Sequence, residues 1–134
     1  MPLRPVWHVS AFLGTTDIPV FEIRDAAGPA TDLLIRTPYL GEALARSLRN
    51  APVVLMRGHG STTVGASVKQ AVYRAVYAEM NARVQREAMQ MGEVNFLTSE
   101  EAATGAVFMD SEQSMSKPWE LWVQRVRSAD GSRG

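Results

Sequence analysis

Apolar positions fall into short alternating runs near the start of the chain and into helical spacing further on. IPVFEIR (18–24) alternates as a half-buried strand does, and the DAAGPATD that follows reads as a turn. DLLIR (32–36) predicts a second short strand. Thr37 before Pro38 predicts a helix start, because the hydroxyl can accept a backbone N–H and proline has none to lose at the first helical position. Leu40, Ala43, Leu44 and Leu48 then recur on one face, and Asn50 ends the helix.

APVVLMR (51–57) is a continuous aliphatic run, the pattern of a strand buried on both faces. TTV (62–64) predicts a short neighbouring strand before Gly65 turns the chain, and Ser67 with Gln70 has the spacing of a capping box. The helix opened there runs from Val68 to about Met91. Its Val68, Ala71, Val72, Ala75, Val76, Met80, Ala82, Val84 and Met91 form an apolar surface wide enough for contact on two sides, and Gly92 stops it. Thr98 with Glu101 is a second capping box, opening a short helix over SEEAATGAVF in which Gly105 is the one unfavourable residue. KPWELWVQRV reads as a last amphipathic helix with Trp119, Trp122 and Val126 on one face, and residues 128–134 as a frayed tail. The whole is one α/β domain spanning 1–134.

Composition narrows the chemistry. With 46% hydrophobic residues, the 134-residue chain can bury a core. Fourteen basic and fourteen acidic side chains cancel, so no positive field gathers nucleic acid or an anionic membrane. There is no cysteine, which leaves histidine and carboxylate as metal ligands. No apolar run has the length of a membrane span, and MPLRPVWHVSAFLG lacks the features of a secretory signal, so the cytoplasm is the expected compartment.

The candidate chemistry sits in RGHGSTTVGAS (57–67). GSTTVGAS matches the spacing of a phosphate-binding P-loop except that Ala66 stands where the lysine belongs, so it lacks the charge that meets the terminal phosphates. The other reading aims His59, flanked by Gly58 and Gly60 at a strand end, at a metal ion. A lone histidine is more often a hydrogen-bonded structural residue, because a metal site needs about three protein ligands. Arg57 can pair with a substrate carboxylate through its planar fork, or with a surface carboxylate of the protein itself. Glu79 lies on the face of Val72 and Ala75, and either finds a buried partner or pairs with Arg83 one turn on. Trp119 and Trp122 are assigned to packing.

VVLMRGHGSTTVGASVKQAVYRAVYAEMNARVQREAMQMG resembles the C-terminal half of the class II aldolase/adducin family, and the likeness runs from about Pro2 to Gly92. In that family a strand ends in a His-Gly pair whose histidine binds a divalent cation, and the long helix that follows carries an aromatic-x-Glu-x-x-Ala pattern. His59-Gly60 and Tyr77 to Ala82 fill those positions. RPVWHVSAFLG, VFEIR, TPYLGEALARSL and PWELWVQRV resemble most the branch that decarboxylates hydroxylated aromatic acids.

The resemblance implies the C-terminal part of a three-layer α/β/α domain and a metal-dependent lyase, with zinc or manganese held by His59, His8 as the proton-donating acid and Arg57 at the substrate. It also implies oligomers with sites at subunit boundaries. Two departures bear on this. Val9 follows His8 where the aldolase branch has a tyrosine, which disfavours sugar-phosphate aldol chemistry. The family's H-x-H ligand pair and acidic residue lie upstream of the segment matching Met1, so the expectation is a chain inactive alone, completed by a homo-oligomer or an N-terminal polypeptide. The competing expectation is a non-catalytic, adducin-like assembly module.

Overall fold

The computed structural model describes residues 2–14 and 17–131. Its centre is strand β2, Val53–Met56, which pairs in parallel with β1, Val20–Phe21, and antiparallel with β3, Gly60–Thr63. Val53 and Val54 are both 0% exposed although they point to opposite faces, so the aliphatic run is buried on both sides, as its pattern predicts. On one face Val53 packs with Phe12, Leu13, Ile18, Tyr73, Ala78 and Met115. On the other, Val54 and Met56 pack with Phe21 and Ile23, covered by Leu40, Ala43, Leu44 and Leu48. Burying each of these valines is worth about 1.5–3 kcal/mol. The fold is thus α/β, with helices on both faces of a small sheet.

The first third departs most from the pattern. Only Val20–Phe21 of the expected strand is extended. Beyond it the chain winds into a one-turn helix, α1, Arg24–Ala27, closed by Gly28 at φ 82°. The expected strand over 32–36 is absent, because Leu33 lies in the left-handed region at φ 67° and the Asp32 carboxylate accepts the Leu34 N–H at 3.1 Å. That local bond offers the backbone an alternative to a sheet. Helix α2, Pro38–Leu48, starts as the sequence predicts, with the Thr37 hydroxyl accepting the Leu40 N–H. It ends before Asn50, with Arg49 as its C-cap at φ 53°.

Helix α3 spans Val68–Met91, the bounds read from sequence, but its buried face differs. Val68 is 74% exposed, Ala75 and Ala82 face solvent, and the buried residues are Tyr73, Ala78, Asn81 and Gln85. Both ends of each amide are bonded. Asn81 Oδ1 accepts the Val6 N–H at 3.0 Å and its Nδ2 donates to the Arg4 carbonyl at 2.7 Å. One turn on, Gln85 Oε1 accepts the Arg4 N–H at 2.9 Å and its Nε2 donates to the Pro2 carbonyl at 3.0 Å. The pair imitates a neighbouring strand, binding the extended N-terminal segment to a helix. Leu97 N–H donates to the Pro5 carbonyl, and the Arg4 guanidinium lies over the Phe96 ring.

That segment leads into a 3-10 helix, His8–Leu13, whose Ser10 to Leu13 are buried. It lies against α4, Ser99–Met109, where a β-carbon on Gly105 would stand 2.8 Å from that of Ala11. The glycine that disfavours a helix by propensity is what lets the two elements touch. Both halves of the Thr98–Glu101 capping box are formed. Helix α5, Glu112–Gly131, begins earlier than the sequence suggests and continues through 128–131 of the expected frayed tail; residues 132–134 lie outside the described residues. Trp122 packs on Tyr77, whereas Val126 is 62% exposed. No helix among the described residues is long and apolar enough to cross a membrane.

Candidate functional site

Where β2 emerges from the core, four exposed residues, Arg57 to Gly60, turn the chain into β3. The His59 N–H donates to the Met56 carbonyl at 3.0 Å, closing a β-turn whose third residue, Gly58, has φ 70°. Gly60 has φ 134°. Both conformations favour glycine, so the two residues flanking His59 serve the turn and leave its imidazole at the surface.

Arg57 does not stand free. Its Nε meets Glu22 Oε2 at 2.7 Å, and Arg24 Nη2 meets the same oxygen at 2.7 Å. The contact follows from the sheet, since the parallel register pairs Phe21 with Met56 and so sets the next residues of each strand side by side. Hydrogen bonding from Arg24 first, with a smaller contribution from Arg57, holds the Glu22 carboxyl down to about 2 from its ordinary 4.5. A depressed carboxyl stabilises the fold above its unfolded pKa and loses that contribution as pH falls through the folded one. In acid unfolding, the advantage of the natural chain over Glu22→Gln is therefore expected to be constant above the ordinary carboxyl value and to vanish as pH approaches about 2. An advantage unchanged across that range would show that Glu22 is not so held.

His8 opens the 3-10 helix and is exposed, on a different element from His59. Among the described residues no group of three or more His, Cys, Asp or Glu could hold a metal ion. A resident metal therefore does not fit this chain's own donors, and His59 offers a single ligand. Glu79 takes the simpler of its two readings, accepting both contacts at 2.9 Å from Arg83 Nη2 at the surface.

The start of α3 tests the phosphate reading. The Gln70 N–H is taken by the Ser67 hydroxyl at 3.2 Å and the Ala66 N–H by Gln70 Oε1 at 2.7 Å. The Gln70 side chain thus reaches Ala66 rather than completing a box on Ser67. These two donors are occupied by the protein itself, which leaves fewer amides to meet an anion. Gly65 belongs to the same packing, because a β-carbon there would lie 2.7 Å from the Ala71 backbone nitrogen and 2.9 Å from Gln70 Cβ. Arg74 secures the loop, donating to the Val64 carbonyl at 2.6 Å and pairing with Asp110.

Sequence reasoning missed Glu22, Asn81 and Gln85. For the last two a signal existed: Tyr73, Tyr77, Asn81 and Gln85 recur every four residues, which places the amides on the stripe of the two tyrosines. An open apolar groove of about 520 Å³ runs between Leu3, Leu55, Ala82 and Met89.

Comparison with known proteins supplies the context for this surface. The family model described as Class II Aldolase and Adducin N-terminal domain matches residues 1–86. Decarboxylase tropJ of Talaromyces stipitatus is 34% identical over 147 aligned residues, covering 94% of this chain and 54% of that protein. The 3,4-dihydroxyphthalate decarboxylase of Rhodococcus jostii is 33% identical over 92 residues, 67% of this chain and 35% of that protein. That of a Terrabacter species is 31% identical over 86 residues, 63% and 34% respectively. The chain spans about half the length of the first and about a third of the other two.

Proposed function

The chain belongs to the class II aldolase and adducin family, and on that premise we propose that it is part of a lyase that decarboxylates a hydroxylated aromatic or hydroxy acid. The observation that carries this reading is the extent of the decarboxylase likeness, which covers 94% of the chain and so runs past residue 86 into α4 and α5. Those helices are integral, joined to the rest through Gly105 against Ala11, Arg74 with Asp110, and Trp122 on Tyr77. Val9 beside His8 disfavours the alternative of a sugar-phosphate aldolase.

Each exposed residue then has a task. In a decarboxylation the bond between ring carbon and carboxyl carbon breaks, carbon dioxide leaves, and the electron pair left on carbon takes a proton. His8 is the imidazole we assign to deliver that proton. Arg57 receives a substrate carboxylate on the edge of the guanidinium away from Nε, while the contact of Nε with Glu22 keeps the arginine aimed. In a family generally dependent on divalent metal, which here would be zinc or manganese, His59 supplies one ligand, and the others come from outside this chain, from a complementing N-terminal polypeptide or a second subunit. A non-catalytic assembly module is the second reading, favoured by the isolation of that imidazole among the described residues.

The test compares the chain alone with the chain mixed with the polypeptide encoded immediately upstream. Bound zinc and manganese, and carbon dioxide released from hydroxylated benzoic and phthalic acids, are measured in both. Metal and activity are expected only in the mixture, and His59→Ala is expected to remove both. A mixture that binds neither metal and releases no carbon dioxide would overturn the lyase in favour of the assembly module.

A further inference from the structure

We infer that Leu33 is a positioning residue for the turn that carries His59. The inference rests on the lyase reading for what the aimed imidazole serves, and on packing for the aiming itself. Among the described residues, those other than glycine with positive φ are Leu33, at 67°, and Arg49, at 53°. The left-handed region costs an L side chain energy, least for asparagine, and a bulky apolar residue is seldom found there. Such a conformation persists where the surrounding structure over-determines it, and functional sites are where it gathers.

The surroundings of Leu33 do over-determine it. The Thr31 hydroxyl accepts its N–H at 3.0 Å, and the Asp32 carboxylate accepts the next N–H, that of Leu34. Arg36 Nε donates to the other oxygen of Asp32 at 2.8 Å. These three side chains lock a bend into a segment whose sequence pattern favours an extended strand. What the locked bend delivers is the leucine.

Leu33 packs against the cluster of Phe21, Ile23, Val54 and Met56. Its Cδ1 also lies 3.2 Å from the place a β-carbon on Gly58 would take, so it bears on the turn one residue before His59. Covering that cluster does not of itself require strain, since Ile35, Leu40 and Leu44 cover it without positive φ. The strained residue is the one that lies against Gly58. From the sheet, the Arg57 N–H on the Phe21 carbonyl holds the same turn. Main chain on one side and the leucine on the other fix the base from which the exposed imidazole projects.

Backbone amide relaxation, measured by NMR on the intact chain, reads this base directly. Gly58 and His59 are expected to have order parameters of about 0.85, as rigid backbone does, and to fall below about 0.6 in Leu33→Ala. His8, at the start of the 3-10 helix, is the internal reference and is expected not to change. Leu33→Met regains the contact and is expected to regain the rigidity. Leu33→Asn suits positive φ but lacks the apolar end, and is expected to behave as the alanine variant does. Leu48→Ala thins the same cluster at the end of α2 that leads towards β2, so it is expected to lower the melting temperature while the turn stays rigid. In the mixture already described, Leu33→Ala is expected to slow carbon dioxide release about tenfold, a modest cost for misplacing a group in a site. Leu48→Ala is expected to match the natural chain there. A turn as rigid in Leu33→Ala as in the natural chain, or as loose in Leu48→Ala, would overturn the proposal. So would a loosened turn that releases carbon dioxide at the natural rate. A natural mixture that releases none sinks the lyase reading, and the order parameters then decide the positioning by themselves.

Discussion

Replacing Asn81 with leucine is expected to destabilise the fold by about 2–5 kcal/mol, because each buried polar group left without a partner costs about 1–3 kcal/mol. Two are stranded at once, the Val6 N–H and the Arg4 carbonyl. Leucine restores the volume and apolar character of the site, so the loss reports the hydrogen bonds rather than a cavity. Single domains hold only about 5–15 kcal/mol in total, and a change of this size is visible in a urea titration. The same variant is expected to loosen the Pro2–Val6 segment, so that the Val6 amide, bonded to Asn81 in the natural chain, exchanges its hydrogen rapidly. Glu79→Gln, two residues away on the exposed face, is expected to stay within about 0.5 kcal/mol of the natural chain. A leucine variant as stable as that control would show that the amides are incidental.

Gly65→Ala is expected to cost about 1–3 kcal/mol, the usual penalty for forcing a carbon into filled space. The new β-carbon would meet a backbone nitrogen rather than the end of a flexible side chain. That nitrogen cannot retreat easily, since the Ala71 N–H is bonded to the Ser67 carbonyl in the first turn of α3. Gly41→Ala provides the contrast. It lies within α2 with nothing inside 4 Å of the added carbon, so the same chemical change is expected to raise stability by about 0.5–1 kcal/mol. Opposite shifts in melting temperature support the packing account. A Gly65→Ala protein that melts with the natural chain would refute it.

The features legible in sequence are those decided by neighbours along the chain. Thr37, Ser67 and Thr98 each accept an N–H three residues on, so the starts of α2, α3 and α4 were readable from a few letters. β2 was readable because an unbroken aliphatic run leaves no face for water. The expected strand at 32–36 failed because the Asp32 side chain and the left-handed Leu33 overrode β propensity. The buried face of α3 departs from its aliphatic pattern because Tyr73, Asn81 and Gln85 line the interior, the amides serving the N-terminal segment. In the site, the placement of His59 at the end of β2 was local and legible. The engagement of Arg57 was not, because its partner Glu22 lies 35 positions earlier and is brought alongside only by the register of two parallel strands.

The turn after Met56 is held by its backbone, through the His59 N–H on the Met56 carbonyl and the Arg57 N–H on the Phe21 carbonyl, whereas the His59 side chain stands exposed. Exchange of that imidazole for another functional group therefore leaves the scaffold's own bonds in place, while exchange of the Arg57 guanidinium removes a partner of Glu22. The histidine position is thus the freer of the two to vary, a freedom that suits one architecture to many reactions.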